Sequence, residues 1–487
     1  MTQFGAILSH GAHVPMLRLQ RATIAAATAW TRPPARGAVH GTRAICNWDE
    51  DALTMAVEAS RTCLAGAAAA GTAAGVAEVD AIAFCSTTAP FADRDAAVLA
   101  SAALNLPESV DTQNLGASLR AGTGALISAL HRTDGARTLV IASDARLTLT
   151  GSPQEMSYGD GASAFLVGPA DDTALATVLA TRRIGSDFVD HYRMRNHDFD
   201  YALEERWVRD ESLLQLVPQT TAALLAAAGC RPGDVRHFAV PAGAATAKRI
   251  AQACDCEEAR RDERVLAECG DAGAALPLLL LEAALEAAVP GELILAVGIG
   301  QGVDALLLRA EAGVRASGGR LGRTLGRRRD EPSYVRYLSH RGLLRVDFGM
   351  RAERDQRTAQ SVAFRKRDAI TGFKGGRCSR CGTVQFPPAR VCVNPECRAT
   401  DTQAPYRLAE SSGRVKTFTE DWQAYTARPP YVYGNIEFAE GGNLLMEVTD
   451  IAAGELQVDD AVRFVFRIKD DDRARGFRRY FWKATKP

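Results

Sequence analysis

Along the first 310 residues, short unbroken apolar runs alternate with longer Ala-rich stretches. The runs at 80–85 (DAIAFC), 137–142 (RTLVIA), 162–168 (ASAFLVG), 237–240 and 292–297 (ELILAV) read as buried strands. Residues 51–66 and 116–131 read as helices between them, and that alternation predicts an α/β layered architecture. The region also looks doubled. GDGASAFLVG (159–168) and GIGQGVDALLLRA (298–310) each set a Gly-rich turn before an apolar strand, one in each half.

Residues 311–332 carry many Gly and Arg and no apolar periodicity, so they read as a linker. Arg320, Arg323, Arg327, Arg328 and Arg329 are either a solvated charge run or partners for the phosphates of a nucleotide-bearing ligand. Residues 333–400 read as a helical lead-in followed by a cysteine-bearing module. After Asp401 the period changes to two. VKTFTEDW, YVYGNIEFAEG, NLLMEVTDI, AVRFVFRI and RYFWKA alternate apolar with polar between Gly, Asn and Asp turns. Five such strands over 401–487 predict a small barrel of the oligonucleotide/oligosaccharide-binding (OB) type.

Composition narrows the classes. The chain has 487 residues, 47% of them hydrophobic and 24% charged, enough for two to four cores, and its formal net charge is zero. Neither that balance nor the barrel, which lacks basic and aromatic residues interleaved on one face, argues for nucleic acid. The opening MTQFGAILSHGAHVP has no basic region before an apolar run, so no secretory signal is expected. The most apolar stretch, 275–290, is broken by Glu282 and Glu286 and is too short to span a bilayer; it reads as a buried helix. Cysteines 46, 63, 85, 230, 254, 256 and 269 are scattered in apolar or helical surroundings, which suits a reducing cytoplasm.

The other four cysteines form a pattern. Cys378, Cys381, Cys392 and Cys397 read C-x2-C, ten residues, C-x4-C, with Gly375, Gly376, Gly382 and Pro395 supplying turns. Two facing cysteine turns make a tetrahedral thiolate site, the preference of structural zinc, with no open position for catalysis. The alternative is two disulfides or buried thiols.

With these elements in place, several segments resemble the thiolase superfamily, in the branch of HMG-CoA synthase and ketoacyl synthase III. They are FGAILSHGAHVP, NWDEDALTMAVEAS (47–60), CSTTAPFADR (85–94), SLRAGTGAL (118–126), GDGASAFLVG, SDFVDHYR (186–193) and GIGQG. The resemblance implies a duplicated five-layered αβαβα domain over 1–310, an acyl-CoA substrate and a homodimer. Residues 333–487 resemble zinc-ribbon plus OB-fold proteins that accompany acyl-CoA enzymes, which implies help in holding acyl-CoA, or service to a separate thiolase-like partner.

The family's chemistry uses a cysteine nucleophile, a glutamate, a histidine and an asparagine. Matched by motif, these positions fall on Leu119, Thr87, Ala239 and Asp271. A leucine cannot carry an acyl group, and Ser118 lies about 100° around the helix from it. Cys85, at a strand end, is the remaining thiol near that motif.

What is left for acid–base work is the segment from Asp187 to Arg209, above all Asp190, His191 and Tyr192. His191, Tyr192 and Asp271 are the catalytic candidates, each with a plain alternative in a salt-bridged surface or a helix cap. Gly159, Gly161, Gly300 and Gly302, with Arg120, are candidates for the substrate wall, although tight turns alone also account for the glycines. The expectation is an enzyme making or breaking a C–C bond beside a CoA thioester without a catalytic cysteine. The alternative is a non-catalytic acyl-CoA-binding scaffold.

Overall fold

The computed structural model describes residues 4–31, 39–69, 78–316, 318–347, 359–472 and 474–487. The chain divides into two units. Unit 1 comprises Met1–Cys46, Asp51–Val98 and Pro107–Tyr337; unit 2 comprises Asn47–Glu50, Leu99–Leu106 and Leu338–Pro487. Residues 348–358 of the expected helical lead-in lie outside the described residues.

Unit 1 is built on a nine-stranded sheet. Its strands are β1 (Ala6–His13), β2 (Ala81–Cys85), β3 (Asp111–Leu115), β4 (Thr138–Ala145), β5 (Asp160–Gly168), β6 (Ala176–Gly185), β7 (Val235–Ala239), β8 (Leu293–Ile299) and β9 (Gly302–Ala310). They lie in the order β7-β8-β9-β6-β1-β5-β4-β2-β3. The doubling is visible in the pairing: β4–β5 and β8–β9 are equivalent antiparallel pairs, each followed outward by a parallel strand, β2 or β7. The two halves join where β1 meets β6 at Ala6 and Ile7.

Side-chain alternation sends successive residues to opposite faces. On β8, Ile294 and Ala296 enter one apolar cluster and Leu295 and Val297 enter another. Helices α1 (Ala52–Ala69), α2 (Ala121–Leu130) and α3 (Leu276–Ala287) are rich in Ala and Leu, and most of their residues are buried. Both faces of the inner strands are therefore covered, which is why they read as unbroken apolar runs, whereas the edge strand β3 is polar and mostly exposed.

The 275–290 stretch forms α3. Its Glu282 is fully buried, bonded to His10 Nδ1 at 3.0 Å and to Ser163 Oγ at 2.5 Å. Burial raises that carboxyl above its usual range despite the opposing His10 contacts. No helix among the described residues is long and apolar enough to cross a membrane.

The stretch expected as a linker is folded into unit 1. Helix α4 (Arg320–Gly326) buries Leu321 and Leu325, and the Arg320 guanidinium bonds Ser9 Oγ at 3.2 Å and the His10 carbonyl at 2.8 Å. One leucine pair at i, i+4 is too short a signal to register as periodicity among so many Gly and Arg.

Unit 2 carries a three-stranded ribbon, β10 (Lys374–Cys378), β11 (Val384–Gln385) and β12 (Gln403–Arg407), in the order β11-β10-β12. A five-stranded sheet follows: β13 (Ser412–Asp421), β14 (Tyr431–Phe438), β15 (Asn443–Glu447), β16 (Ala461–Asp472) and β17 (Phe477–Thr485). Its order is β15-β14-β13-β16-β17, and a bridge from Val448 to Ala484 nearly closes it into a small barrel. The inward apolar positions meet around Phe373, which stacks on Trp482 at 5.8 Å and sits edge-on to Phe464 at 5.3 Å.

Candidate functional site

Leu119 lies half-buried immediately before α2. Gly300 backs directly onto it: a Cβ there meets Ser118 Oγ at 3.2 Å and Leu119 N at 3.3 Å. Ser118 donates to the Gly300 carbonyl at 3.1 Å. Arg120 donates to the same carbonyl and, through Nη1, to Asp304 Oδ1 at 2.8 Å. Arg120 also borders a cavity of about 620 Å³, beside Leu115, Gly116, Ala121 and Arg183.

The glycines divide into two kinds. Gly302 has φ 127° and faces the Ile184 carbonyl. Gly159 and Gly161 are buried, packed on Cys269 and on Ala272 with Leu279. A Cβ on Gly159 falls 1.9 Å from the Cys269 carbonyl oxygen, backbone that cannot turn aside. Gly159→Ala is expected to cost about 3 kcal/mol, read as a lowered thermal midpoint; an unchanged midpoint refutes the packing argument.

The segment 86–88, which contains the Thr87 position, is fixed by one carboxylate. Asp144, at the end of β4 and fully buried, accepts six bonds: from Ser86 Oγ, Thr87 N and Oγ1, Thr88 N and Oγ1, and Ala274 N, all between 2.7 and 3.0 Å. So saturated a carboxylate is an anchor, with no free lone pair for proton transfer.

Two residues on, Arg146 is almost fully buried between acidic groups. Its Nη1 reaches Asp271 Oδ2 at 3.3 Å and its Nη2 reaches Asp200 Oδ2 at 2.6 Å, while the guanidinium lies 3.5 Å from the Tyr158 ring centroid. Tyr158 donates to Asp200 at 3.0 Å, and burial raises its hydroxyl above the usual tyrosine range although Arg146 opposes this. For Asp200, burial pushes upward, but Arg146 outweighs it and holds the carboxyl low. Asp271 keeps 29% of its side chain exposed, and its Oδ1 accepts from Gly273 N.

His191 and Tyr192 pair with Ala202 and Tyr201 in a short hairpin. His191 Nδ1 lies 3.1 Å from Asp190 Oδ1, and its side chain is 21% exposed. Burial raises the Asp190 carboxyl, but its bonds and charge contact with His191 reverse this and leave it below the usual range. Tyr192 is half-exposed against Tyr201. The structure therefore brings Asp271 close to the His191 hairpin through Arg146 and Asp200, while Leu119, Arg120 and Gly300 contact one another. The sequence reading missed Asp144, Arg146, Tyr158 and Asp200.

The thiols of unit 1 are mostly sealed. Cys85 is fully buried, and burial together with the Asp144 charge raises its pKa far above the ordinary thiol value. Burial pushes Cys63, Cys256 and Cys269 up to about 12, and Cys254 upward. Cys46 is buried against Met55, and Cys230 is half-buried.

In unit 2 the four patterned cysteines converge. Their sulfurs all lie within 4.8 Å of one another, with Cys378–Cys397 at 3.9 Å and Cys381–Cys392 at 3.6 Å. A tetrahedron of Zn–S bonds near 2.3 Å sets sulfurs about 3.8 Å apart, so the donor set fits structural zinc.

Comparison with known proteins separates the same two parts. Residues 372–403 match the family model of the ChsH2 rubredoxin-like zinc ribbon domain, and 406–467 that of the ChsH2 C-terminal OB-fold domain. A DUF35 domain-containing scaffold protein of Methanocaldococcus jannaschii is 33% identical over 101 residues, 20% of this chain and 70% of that protein. Through unit 2, the chain belongs to the DUF35 family. A hydroxymethylglutaryl-CoA synthase of Aeropyrum pernix is 27% identical over 305 residues, 61% of this chain and 82% of that protein. Among solved structures, an HMG-CoA synthase complexed with CoA aligns with a TM-score of 0.58 at 16% identity, covering 79% of this chain and 94% of that one. Unit 1 thus has the HMG-CoA synthase-like thiolase fold.

The DUF35 unit also holds a buried charge network. Arg467 Nη2 meets Glu50 at 3.0 Å and Asp450 at 2.8 Å; Lys483 Nζ meets Asp49 at 2.9 Å and Glu447 at 2.8 Å. Lys483 also lies 4.2 Å from the Trp48 ring centroid.

Proposed function

We propose that unit 1 makes or breaks a C–C bond beside an acyl-CoA thioester by acid–base chemistry, without a covalent acyl-enzyme. The observation that carries this reading is the state of the thiols. Leucine stands at the motif position of the nucleophile, and Cys85 is buried with its pKa raised. A thiol is nucleophilic as a thiolate, which calls for the opposite surroundings.

In the cleavage direction, the Asp271 carboxylate takes the proton of a β-hydroxyl. The bond between the α and β carbons breaks, the oxygen's electrons form the new carbonyl, and the bonding pair passes into the thioester enolate. His191, oriented by Asp190, then delivers a proton to the α-carbon. The proton taken from the hydroxyl is replaced by the one delivered, and no further reactant is consumed.

The acyl-CoA substrate class is supported by the similarity to HMG-CoA synthases, one of which was solved with CoA. A homodimer belongs to the same reading, supported by the exposed polar edge strand β3 beside the 620 Å³ cavity. So does a cytoplasmic setting, supported by scattered thiols that pack as small apolar groups.

The test is mass spectrometry of products from β-hydroxy- and β-keto-acyl-CoA panels, aryl variants included. General acid–base groups contribute about 10²–10⁴-fold, so Asp271→Asn and His191→Ala are each expected to lower turnover at least 100-fold, with a smaller loss for Tyr192→Phe. Undiminished turnover in Asp271→Asn and His191→Ala sinks these roles. The second reading, an acyl-CoA-binding scaffold for a separate thiolase-like partner, is favoured by the resemblance to proteins named as scaffolds. Measurable binding with every substrate left intact, together with a co-purifying partner enzyme, selects it.

A further inference from the structure

Starting from Asp271, the contacts close into a ring. Asp271 pairs with Arg146, Arg146 with Asp200, and Asp200 Oδ1 with Arg193 Nε at 3.1 Å. Arg193 Nη2 donates to the Thr87 carbonyl, Thr87 is held by Asp144, and Asp144 accepts from Ala274 N, three residues beyond Asp271. Four segments distant in sequence, 86–88, 144–146, 191–200 and 271–274, are tied in one circuit. The end of β4 supplies two of its anchors, because residues two apart on an extended chain face the same way.

We infer that Arg146 is the positioning residue of this site, setting the Asp271 carboxylate and the 191–202 hairpin in a fixed relation. The inference rests on the acid–base reading above. With only 4% of its side chain exposed, Arg146 is closed off from substrate, whereas Asp271, at 29%, keeps a face open. The planar fork spends its donors on two carboxylates and lies over an aromatic ring, three demands that a lysine ammonium cannot meet together.

The charges also alternate in sign. Asp271 and Asp200 flank Arg146, and Arg193 closes Asp200 from the other side. The charged or titratable groups facing Asp271 are Arg146, Tyr158 and Cys269.

The experiment compares wild type with Arg146→Gln, Arg146→Lys and Asp200→Asn in the full chain, by two readouts. The first is the split between kcat and KM on whichever acyl-CoA the wild type turns over. The second is hydrogen exchange of peptides covering 188–202, which needs no turnover. Arg146→Gln is expected to lower kcat about 100-fold with little change in KM. Arg146→Lys is expected to restore only part of kcat. In both Arg146→Gln and Asp200→Asn the hairpin is expected to exchange at least 10-fold faster.

A wild-type kcat and wild-type hairpin protection in Arg146→Gln overturn the inference. So does a loss of folded protein in Arg146→Gln when Asp200→Asn leaves the hairpin unchanged. A wild type that turns over nothing fails the acid–base reading instead, and hairpin exchange then still decides whether Arg146 holds the ring together.

Discussion

Cys381→Ser is expected to abolish zinc binding and unfold the ribbon of the DUF35 unit. Its sulfur is one of four within 4.8 Å of one another, and the set closes only when all four thiolates contribute. Structural zinc in small modules contributes about 10–16 kcal/mol of apparent binding free energy at neutral pH, more than a ribbon of three short strands gains from its own packing. Removing one thiolate leaves a three-ligand site with an open coordination position. Metal analysis is expected to fall from one zinc per chain to none, and a strong chelator is expected to reproduce the loss of structure in the unaltered protein. Cys230→Ser, far from the pattern in sequence, is the control and retains its zinc. A Cys381→Ser protein with a full equivalent of zinc and an unchanged melting curve refutes the assignment.

The second large effect is expected from Arg467→Met. Arg467 is 1% exposed and contacts Glu50 and Asp450, with Asp49 at 3.9 Å from its Nε. The methionine fills the space but leaves buried carboxylates without that cation. Breaking a buried pair from one side costs about 3–5 kcal/mol, whereas replacing a whole buried cluster by apolar side chains is often neutral. The single variant is therefore expected to destabilise the DUF35 unit by that amount in chemical denaturation. A loss below about 1 kcal/mol shows that the network is not sealed from water.

The same network gives a pH dependence. Burial raises the Glu447 carboxyl, but Lys483 and Lys469 outweigh it and hold it far below its usual range. A depressed carboxylate contributes stability that is whole above the unfolded-chain value of about 4.3 and is lost as pH falls toward the folded-state value.

In the barrel, β13 and β14 alternate apolar with polar because one face is covered, whereas β16 and β17 keep the alternation although both faces are buried, Arg467 and Lys483 belonging to the charge network; all five expected segments became β13 to β17. Strands β2, β4, β5, β7 and β8 were legible as unbroken apolar runs because both faces are covered; the exposed, polar β3 was not. The zinc ligands were legible because their spacing is local. The ring around Arg146 was not: Arg146 and Asp271 are 125 residues apart, and each looks ordinary beside its own neighbours. The NWDE segment at 47–50 was read as part of the thiolase resemblance. Nothing in its local pattern shows that Asp49 and Glu50 complete a charge network with residues near the other end of the chain.

Asp49 and Lys483 are 434 residues apart. At roughly 5–20 residues per second on the ribosome, Asp49 waits about 20–90 s for its partner to be made. Until then its carboxylate stays hydrated, and Arg467, once synthesised, has to find an acidic segment that emerged long before it. The DUF35 unit is therefore assembled from segments made far apart in time, and its folding is expected to finish only after Lys483 has emerged from the ribosome.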